Sequence, residues 1–310
     1  MRRAGFYQDL LKEALGRWEW PRENEHLDRA KFATEECFGP LLAGTIALNG
    51  FQKGDERVET LLRDQAGTSL ARVESTRSGV VRAAFPREPF LAPTLNETPY
   101  TTEDAKGLPS PHALLVSKVL YHQAEPYLST VASDTGSSTV GELWDRFFAR
   151  SEQIPTLALV RTKLADDGSV ELCAALTIQG LVGDDEASPQ ELIESFREDL
   201  ASSEVLDGLV GENGADWMRS VLPDLPDDFE VKERNDPERG KLFTLRPVTF
   251  FCPCSVERMA QSIAGLANDP DEIFEPEQEN LEVVCSYCNG KHEVSRDAVR
   301  AATTATSSAS

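Results

Sequence analysis

The sequence predicts an α+β protein with three parts: an N-terminal core domain with an antiparallel sheet and helices, a helical linker, and a small C-terminal domain built on four cysteines. Three observations support this organisation. Short β-branched runs alternate with turn signals in the first part of the chain, acidic residues concentrate in the middle, and four of the six cysteines follow residue 250. The 310 residues suffice for about two folded units.

Strands are predicted throughout the core domain, residues 1–183, wherever β-branched runs are bounded by turn residues. The Asp-Gly step at Asp167-Gly168 is a strong signal for a tight hairpin. The predicted strands lie in residues 58–85, with turns at Ala66-Gly67 and Ser78-Gly79, and in residues 113–121, 127–133, 156–164 and 170–179.

Two helices are predicted in the same domain. Residues 29–48 carry apolar side chains at helical spacing, and Asn49-Gly50 is expected to cap the C-terminus of this helix. Thr139 followed three residues later by Glu142 predicts a capping box at the start of the second helix. The proline-rich residues 88–111 between them are expected to form a long loop.

Residues 184–243 are predicted to be an acidic, metastable helical linker. Residues 184–240 contain 18 acidic and 5 basic residues, a net charge of −13 out of −22 for the whole chain. Because like charges on one helix repel, these helices need a neighbour to pack on. Ser188-Pro189 marks a helix start. The apolar positions are Leu192, Ile193, Phe196 and Leu200, then Leu206, Leu209, Val210, Trp217, Met218 and Val221.

The overall charge and the chain ends limit the possible partners and compartments. A net charge of −22 argues against nucleic acid and against anionic membrane surfaces as partners. No apolar run reaches the ~18 residues that span a bilayer, and no apolar segment follows Met1-Arg2-Arg3. We therefore expect a cytoplasmic protein, with an organelle left open, and a disordered low-complexity tail at residues 299–310.

The candidate functional motif lies in residues 244–298, which contain two closely spaced cysteine pairs. They are Cys252-Pro253-Cys254, called the first clip, and Cys285-Ser286-Tyr287-Cys288, called the second clip. Four thiolates at ~2.3 Å satisfy tetrahedral Zn²⁺ without further ligands. Pro253 favours the extended backbone that lets thiols at i and i+2 share one face. The spacing predicts one zinc ion per chain, with a helix over residues 255–266 between the clips.

The spacing alone leaves several functions open for these clips. They can form a purely structural zinc site, a nucleic-acid-binding ribbon that the acidic charge disfavours, or a redox switch in which oxidation removes the ligands. His292 is an alternative ligand, although four cysteines make a surface position the expected one for it. Cys37 and Cys173 lie among apolar neighbours, and we expect them to be buried structural thiols.

The C-terminal pattern Cys252-x-Cys254, about thirty residues, then Cys285-x-x-Cys288 resembles that of a known family, and two further phrases support the resemblance. Residues 147–156, FFARSEQIPT, are similar to the phrase that ends a core-domain helix in the redox-regulated 33 kDa chaperonin, or heat-shock protein 33, family. Residues 254–258, CSVER, are similar to the family's C-S-x-E-R after the first clip. The resemblance spans residues 32–294. The first thirty residues and the long loop at residues 88–111 depart from the family pattern.

The resemblance implies an ATP-independent holdase chaperone that is inactive when reduced and zinc-bound. Oxidants would then form the disulfides Cys252–Cys254 and Cys285–Cys288, zinc would leave, and the linker would unfold and expose surface for unfolding client proteins. The family further suggests a homodimer in the oxidised state. The sequence shows no nucleotide-binding or hydrolase motif, so no enzyme is expected. The alternative is a zinc-stabilised adaptor or a thiol–disulfide redox protein without chaperone activity.

Overall fold

The computed structural model describes ten stretches of the chain. They are residues 2–20, 27–52, 56–76, 78–91, 110–120, 125–134, 138–180, 188–200, 248–266 and 270–307. The chain divides into two compact units, residues 1–250 and residues 251–310. The predicted boundaries at residues 183, 243 and 298 remain predictions.

A six-stranded sheet forms one layer of the first unit. Its strands are β2 (Arg57–Arg63), β3 (Ser69–Thr76), β4 (Val80–Ala84), β5 (Ala113–Val119), β6 (Tyr127–Ala132) and the short β9 (Thr249–Phe250). They lie in the order β6-β5-β2-β3-β4-β9, all antiparallel except β9 on β4. Gly67 and Gly79, with φ of +86° and +88°, make the two predicted turns.

A three-stranded sheet forms the other layer of this unit. Strands β7 (Thr156–Leu164) and β8 (Val170–Gln179) are the predicted hairpin, with Gly168 at a φ of +77° in its turn. The outer strand β1 (Arg2–Phe6) was not predicted; it pairs antiparallel with β8 and precedes helix α1 (Gln8–Arg17). The first residues of the chain therefore belong to the core sheet.

The first predicted helix lies between the two sheets and is interrupted. Helix α2 (Leu27–Phe32) passes through a π-helical turn (Ala33–Phe38) into α3 (Gly39–Phe51), which packs on strands of both sheets. The expected cap at Asn49-Gly50 is wrong, because the helix continues to Phe51. The buried Asn49 amide donates instead to the Ser75 carbonyl at 2.9 Å, so it ties the helix to β3.

The second helix follows its prediction. In α5 (Val140–Phe147) the Thr139 hydroxyl accepts from the Glu142 N–H, and the Glu142 carboxylate accepts from the Thr139 N–H. A π-helical turn (Phe148–Glu152) extends it, and Gln153 ends it in the left-handed region. Of the predicted long loop, a short helix α4 (Glu88–Leu91) is seen, and residues 92–109 lie outside the described residues.

The start of the predicted linker is a docked helix. Helix α6 (Pro189–Asp199) begins at Ser188, whose capping box with Glu191 matches the predicted start. Ile193, Phe196 and Leu200 are buried. The side chain of Leu192 and the whole second stripe, from Leu206 to Val221, lie outside the described residues.

The second unit is a small lobe with its own core. Helix α7 (Val256–Ala264) leads through a 3₁₀ turn (Pro270–Ile273) to the hairpin β10 (Asn280–Val284) and β11 (Lys291–Ser295), and then to α8 (Arg296–Ser307). The disorder expected from residue 299 is wrong through residue 307. Val299 is fully buried in the core of the lobe, so the helix gains tertiary support that composition does not report.

Gly44 provides a test of how tightly the core is packed. A Cβ at Gly44 would lie 2.8 Å from Cζ2 of the fully buried Trp144 and closer still to its Nε1. We expect Gly44→Ala to lower the free energy of unfolding by about 1–3 kcal/mol through overpacking, although alanine is the better helix former. Urea unfolding followed by tryptophan fluorescence measures this change.

Gly141→Ala on α5 is the matched control. The atoms nearest to a Cβ there lie 3.8 Å away, which is ordinary contact distance. This variant is expected to be unchanged or more stable by about 0.5–1 kcal/mol. Equal stability of the two variants would contradict the close approach of α3 to Trp144.

Candidate metal centre

The first clip occupies an irregular segment that leads into α7. Cys252 and Cys254 are half-buried, and the helix that follows begins at Ser255, whose hydroxyl accepts from the Arg258 N–H at 3.3 Å. The Cys254 backbone N–H donates to the Cys252 thiol. The helix start thus fixes the clip at one end, and the clip's own hydrogen bond orients the first sulfur.

The second clip is a tight turn between β10 and β11. The Cys285 N–H donates to the Gly290 carbonyl at 2.9 Å, and the Asn289 N–H donates to the Cys285 carbonyl at 3.0 Å. Asn289 has a φ of +57°, which asparagine tolerates better than most residues. Both sulfurs of the clip are consequently held on one side of the turn, and Cys285 and Cys288 are each 5% exposed.

The two clips bring all four sulfurs to one point. The Sγ atoms of Cys252, Cys254, Cys285 and Cys288 lie within 4.8 Å of one another. Across the clips, Cys252 lies 3.6 Å from Cys285 and Cys254 lies 3.4 Å from Cys288. Tetrahedral coordination at ~2.3 Å separates two sulfurs by about 3.8 Å. The four cysteines are therefore positioned to bind a metal ion.

The metal-free thiols differ in how readily they ionise. Burial raises the pKa of Cys252 and of Cys254 above the ordinary thiol value, and neighbouring thiols add to it. Burial also opposes ionisation of Cys285, but the backbone N–H groups of Cys288 and Tyr287 donate to its sulfur, and its pKa is lowered. Four adjacent thiolates repel one another, so a cation is what allows all of them to be ionised together.

His292 does not occupy the surface position expected from the sequence. It is half-buried on β11, and its Nε2 lies 3.3 Å from Sγ of Cys254. The signal for this was present in the sequence, because strand alternation places His292 on the same face as Val294, which is fully buried. Sequence reasoning missed this contact because the strand was not predicted.

The other two cysteines belong to the first unit. Cys37 in the π-helical turn and Cys173 on β8 are both fully buried, as predicted. The Cys173 thiol donates to the Gly39 carbonyl at 3.6 Å. Burial raises the pKa of both thiols, that of Cys173 to about 12. At neutral pH both are protonated.

Fold and site together define an α+β protein whose C-terminal unit carries a four-thiol metal-type centre. The family model described as Hsp33 protein matches residues 23–295, and the chain belongs to this family. In the part of the chain that is described, no helix has the length and apolarity needed to cross a membrane.

Comparison with individual proteins agrees with the family assignment. The chain is 25% identical to the 33 kDa chaperonin of Levilactobacillus brevis, over 87% of this chain and 85% of the relative. It is 26% identical to that of Lactococcus lactis subsp. lactis, over 94% and 91%. The crystal structure of the Thermotoga maritima 33 kDa chaperonin (heat shock protein 33 homolog) matches with a TM-score of 0.68 at 20% identity, covering 99% of this chain and 95% of that one. The last match shows the fold.

Cys37 and Cys173 are expected to resist thiol reagents while the chain is folded. Burial denies access, and the raised pKa leaves almost no thiolate at pH 8. Labelling followed by peptide mapping should find both unmodified in buffer and modified in guanidinium. Ser69→Cys, at an exposed position, is the matched control and should label rapidly. Rapid labelling of Cys173 in buffer would contradict the buried position.

Proposed function

We propose that this chain is a redox-regulated, ATP-independent holdase chaperone. Membership of the Hsp33 family supports a chaperone function for it. In the proposed cycle the reduced, zinc-bound chain is inactive, and oxidation activates it to hold unfolding client proteins in the cytoplasm. Association into a homodimer in the oxidised state is part of the proposal. No catalytic step is required of any residue.

The convergence of four sulfur atoms within 4.8 Å is the observation that carries this proposal. Cys252, Cys254, Cys285 and Cys288 are its zinc ligands, and the cross-clip distances fit a tetrahedral thiolate site. Bound zinc would supply folding free energy, of order 10 kcal/mol or more in zinc-finger peptides. The small core of the lobe makes that contribution decisive; its buried apolar members are Ala260, Ile263, Phe274, Val294 and Val299.

Oxidation acts on the same atoms that bind the metal. The resemblance to the family implies disulfides within each clip, Cys252–Cys254 and Cys285–Cys288. When each disulfide forms, its two sulfurs become bonded and give up two electrons to an oxidant such as hydrogen peroxide. Neither sulfur is then a thiolate that can bind the metal. Two such steps remove every proposed ligand, so the lobe loses the metal that compensates for its small core.

Helix α6 is the proposed element that responds to this loss. Its buried face consists of Ile193, Phe196 and Leu200. Arg197 on the same helix donates to the Asp145 carboxylate on α5 at 2.6 Å. Burial raises the pKa of Asp145 although Arg197 opposes that shift. The docked ion pair therefore has a desolvation cost, and such pairs add little net stability. Docking depends mainly on three apolar side chains and is marginal in an acidic segment.

Peroxide with mild heat should release one zinc ion per chain and oxidise four of the six thiols. The oxidised chain should then suppress aggregation of an unfolding client, measured by light scattering without ATP. A Cys37→Ser/Cys173→Ser chain should respond in the same way, because these thiols lie outside the centre. Zinc release without suppression of aggregation would favour a zinc-stabilised adaptor or a thiol–disulfide redox protein over this function.

Phe196→Asp should undock α6 and activate the reduced, zinc-bound chain without oxidant. The substitution places a charge in a site where Phe196 is 7% exposed and removes burial of about 1.5–3 kcal/mol. Hydrogen exchange of residues 188–200 and client aggregation are the two measurements. Trp217→Asp is predicted to act alike, at a position outside the described residues.

Ser195→Asp is the matched control for the added charge. Ser195 is the exposed neighbour on α6, so this variant should keep slow exchange and stay inactive. A reduced Phe196→Asp chain that exchanges as slowly as the unmodified protein and holds no client would show that α6 is not the element that responds.

A further inference from the structure

His292 is a nitrogen donor placed against the four-thiol centre. Strand β11 alternates, with Lys291 and Glu293 exposed and with His292 and Val294 directed inward. Val294 is fully buried in the core of the lobe, which fixes the orientation of the strand. The inward position of His292 is consequently set by the fold of the hairpin.

The imidazole lies beside the sulfur pair formed by Cys254 and Cys288. Its Nε2 is 3.3 Å from Sγ of Cys254, and Sγ of Cys254 is 3.4 Å from that of Cys288. A Cβ at Gly290 would lie 3.3 Å from Sγ of Cys288 and 3.6 Å from Nε2 of His292. Glycine at this position thus avoids a tight contact with the Cys288 sulfur next to the imidazole.

We propose that His292 is a reserve zinc ligand that takes the coordination position of Cys254 when that thiol leaves the metal. The inference rests on the proposed zinc centre. Three cysteines and one histidine form an ordinary zinc site, with Zn–N distances of ~2.0–2.1 Å. Because Nε2 already contacts the sulfur that it would replace, the exchange needs a local movement of one side chain.

The reserve ligand changes how the centre responds to partial oxidation. Formation of the Cys252–Cys254 disulfide joins two sulfurs and transfers two electrons to hydrogen peroxide, which takes up two protons and becomes two water molecules. Cys285, Cys288 and His292 then remain as donors, and three protein ligands suffice to hold zinc in many sites. The metal would therefore be retained until the second clip is also oxidised.

A double-mutant cycle in the full-length reduced chain tests the assignment. Zinc affinity is measured by chelator competition for the unmodified chain and for Cys254→Ala, each with and without His292→Phe. If His292 is a reserve ligand, His292→Phe alone should lower zinc affinity less than about tenfold. The same substitution in the Cys254→Ala chain should lower zinc affinity more than about 100-fold. If His292 only donates a hydrogen bond to the Cys254 sulfur, His292→Phe should lower zinc affinity more in the unmodified chain than in Cys254→Ala. Loss of a residue that hydrogen-bonds to a metal ligand lowers metal affinity roughly 10–100-fold, and only while that ligand is present.

Cobalt substitution and a second cysteine provide the controls. His292→Phe should shift the Co²⁺ absorption bands in the Cys254→Ala chain and leave them unchanged in the otherwise unmodified chain. Added to Cys252→Ala, His292→Phe should lower zinc affinity no more than it does alone, because Nε2 of His292 contacts the sulfur of Cys254, whereas the Cys252 sulfur lies 3.6 Å from that of Cys285.

Two results would contradict the reserve ligand without contradicting the zinc centre. In the first, His292→Phe lowers zinc affinity equally or less in the Cys254→Ala chain than in the unmodified chain. In the second, the Cys254→Ala chain binds no zinc while the unmodified chain does. Failure of the unmodified chain to bind zinc overturns the centre itself, and the inference with it.

Discussion

The C-terminal unit depends on the requirement that four sulfur atoms share one small volume. Four thiols within 4.8 Å cannot all ionise unless a cation compensates their charge. A lobe of this size, with few buried apolar side chains, obtains little stability from its core alone. Hydrogen bonds within the clips orient Cys252 and Cys285, so the backbone places these sulfurs before any metal binds, and a bound metal would supply free energy for assembly of the lobe.

The first unit, unlike the C-terminal one, has an extensive buried apolar core. Helix α3 is buried on all sides between two sheets, and a cluster of aromatic rings that includes Phe38, Phe85 and Phe90 packs beside it. A well-packed core of this kind does not depend on a metal for its packing. Helix α6 belongs to the acidic segment and is held by three buried apolar side chains, and the proposed function requires it to leave while the layers beneath it stay closed. A large, stable core next to a marginal helix is what a switchable surface requires.

Sequence reasoning succeeded where a local signal determines local geometry. The glycines at positions 67, 79 and 168, the capping box at Thr139 and the helix start at Ser188 each describe a few neighbouring residues, and each matched the structure. The two cysteine clips are local signals of the same kind, although their meeting joins residues more than thirty positions apart. It failed where tertiary contacts override local preference. Asn49 ends no helix because β3 satisfies its amide, and α8 forms because Val299 is buried. Strand β1 and the contact between His292 and Cys254 depend on partners that are distant in the sequence.

The six cysteines show how one side chain acquires two chemistries in one chain. Cys37 and Cys173 are surrounded by apolar atoms, and their charged form has no compensating cation, so they remain protonated and unreactive. The four clip thiols lie together in a partly accessible site, positioned so that a bound divalent cation would make the thiolate the stable form. A zinc-bound thiolate is protected from protonation but still carries the electrons that an oxidant removes. In the proposed function, sensitivity to oxidation would therefore belong to the site that gathers the four thiols, which all lie in one lobe.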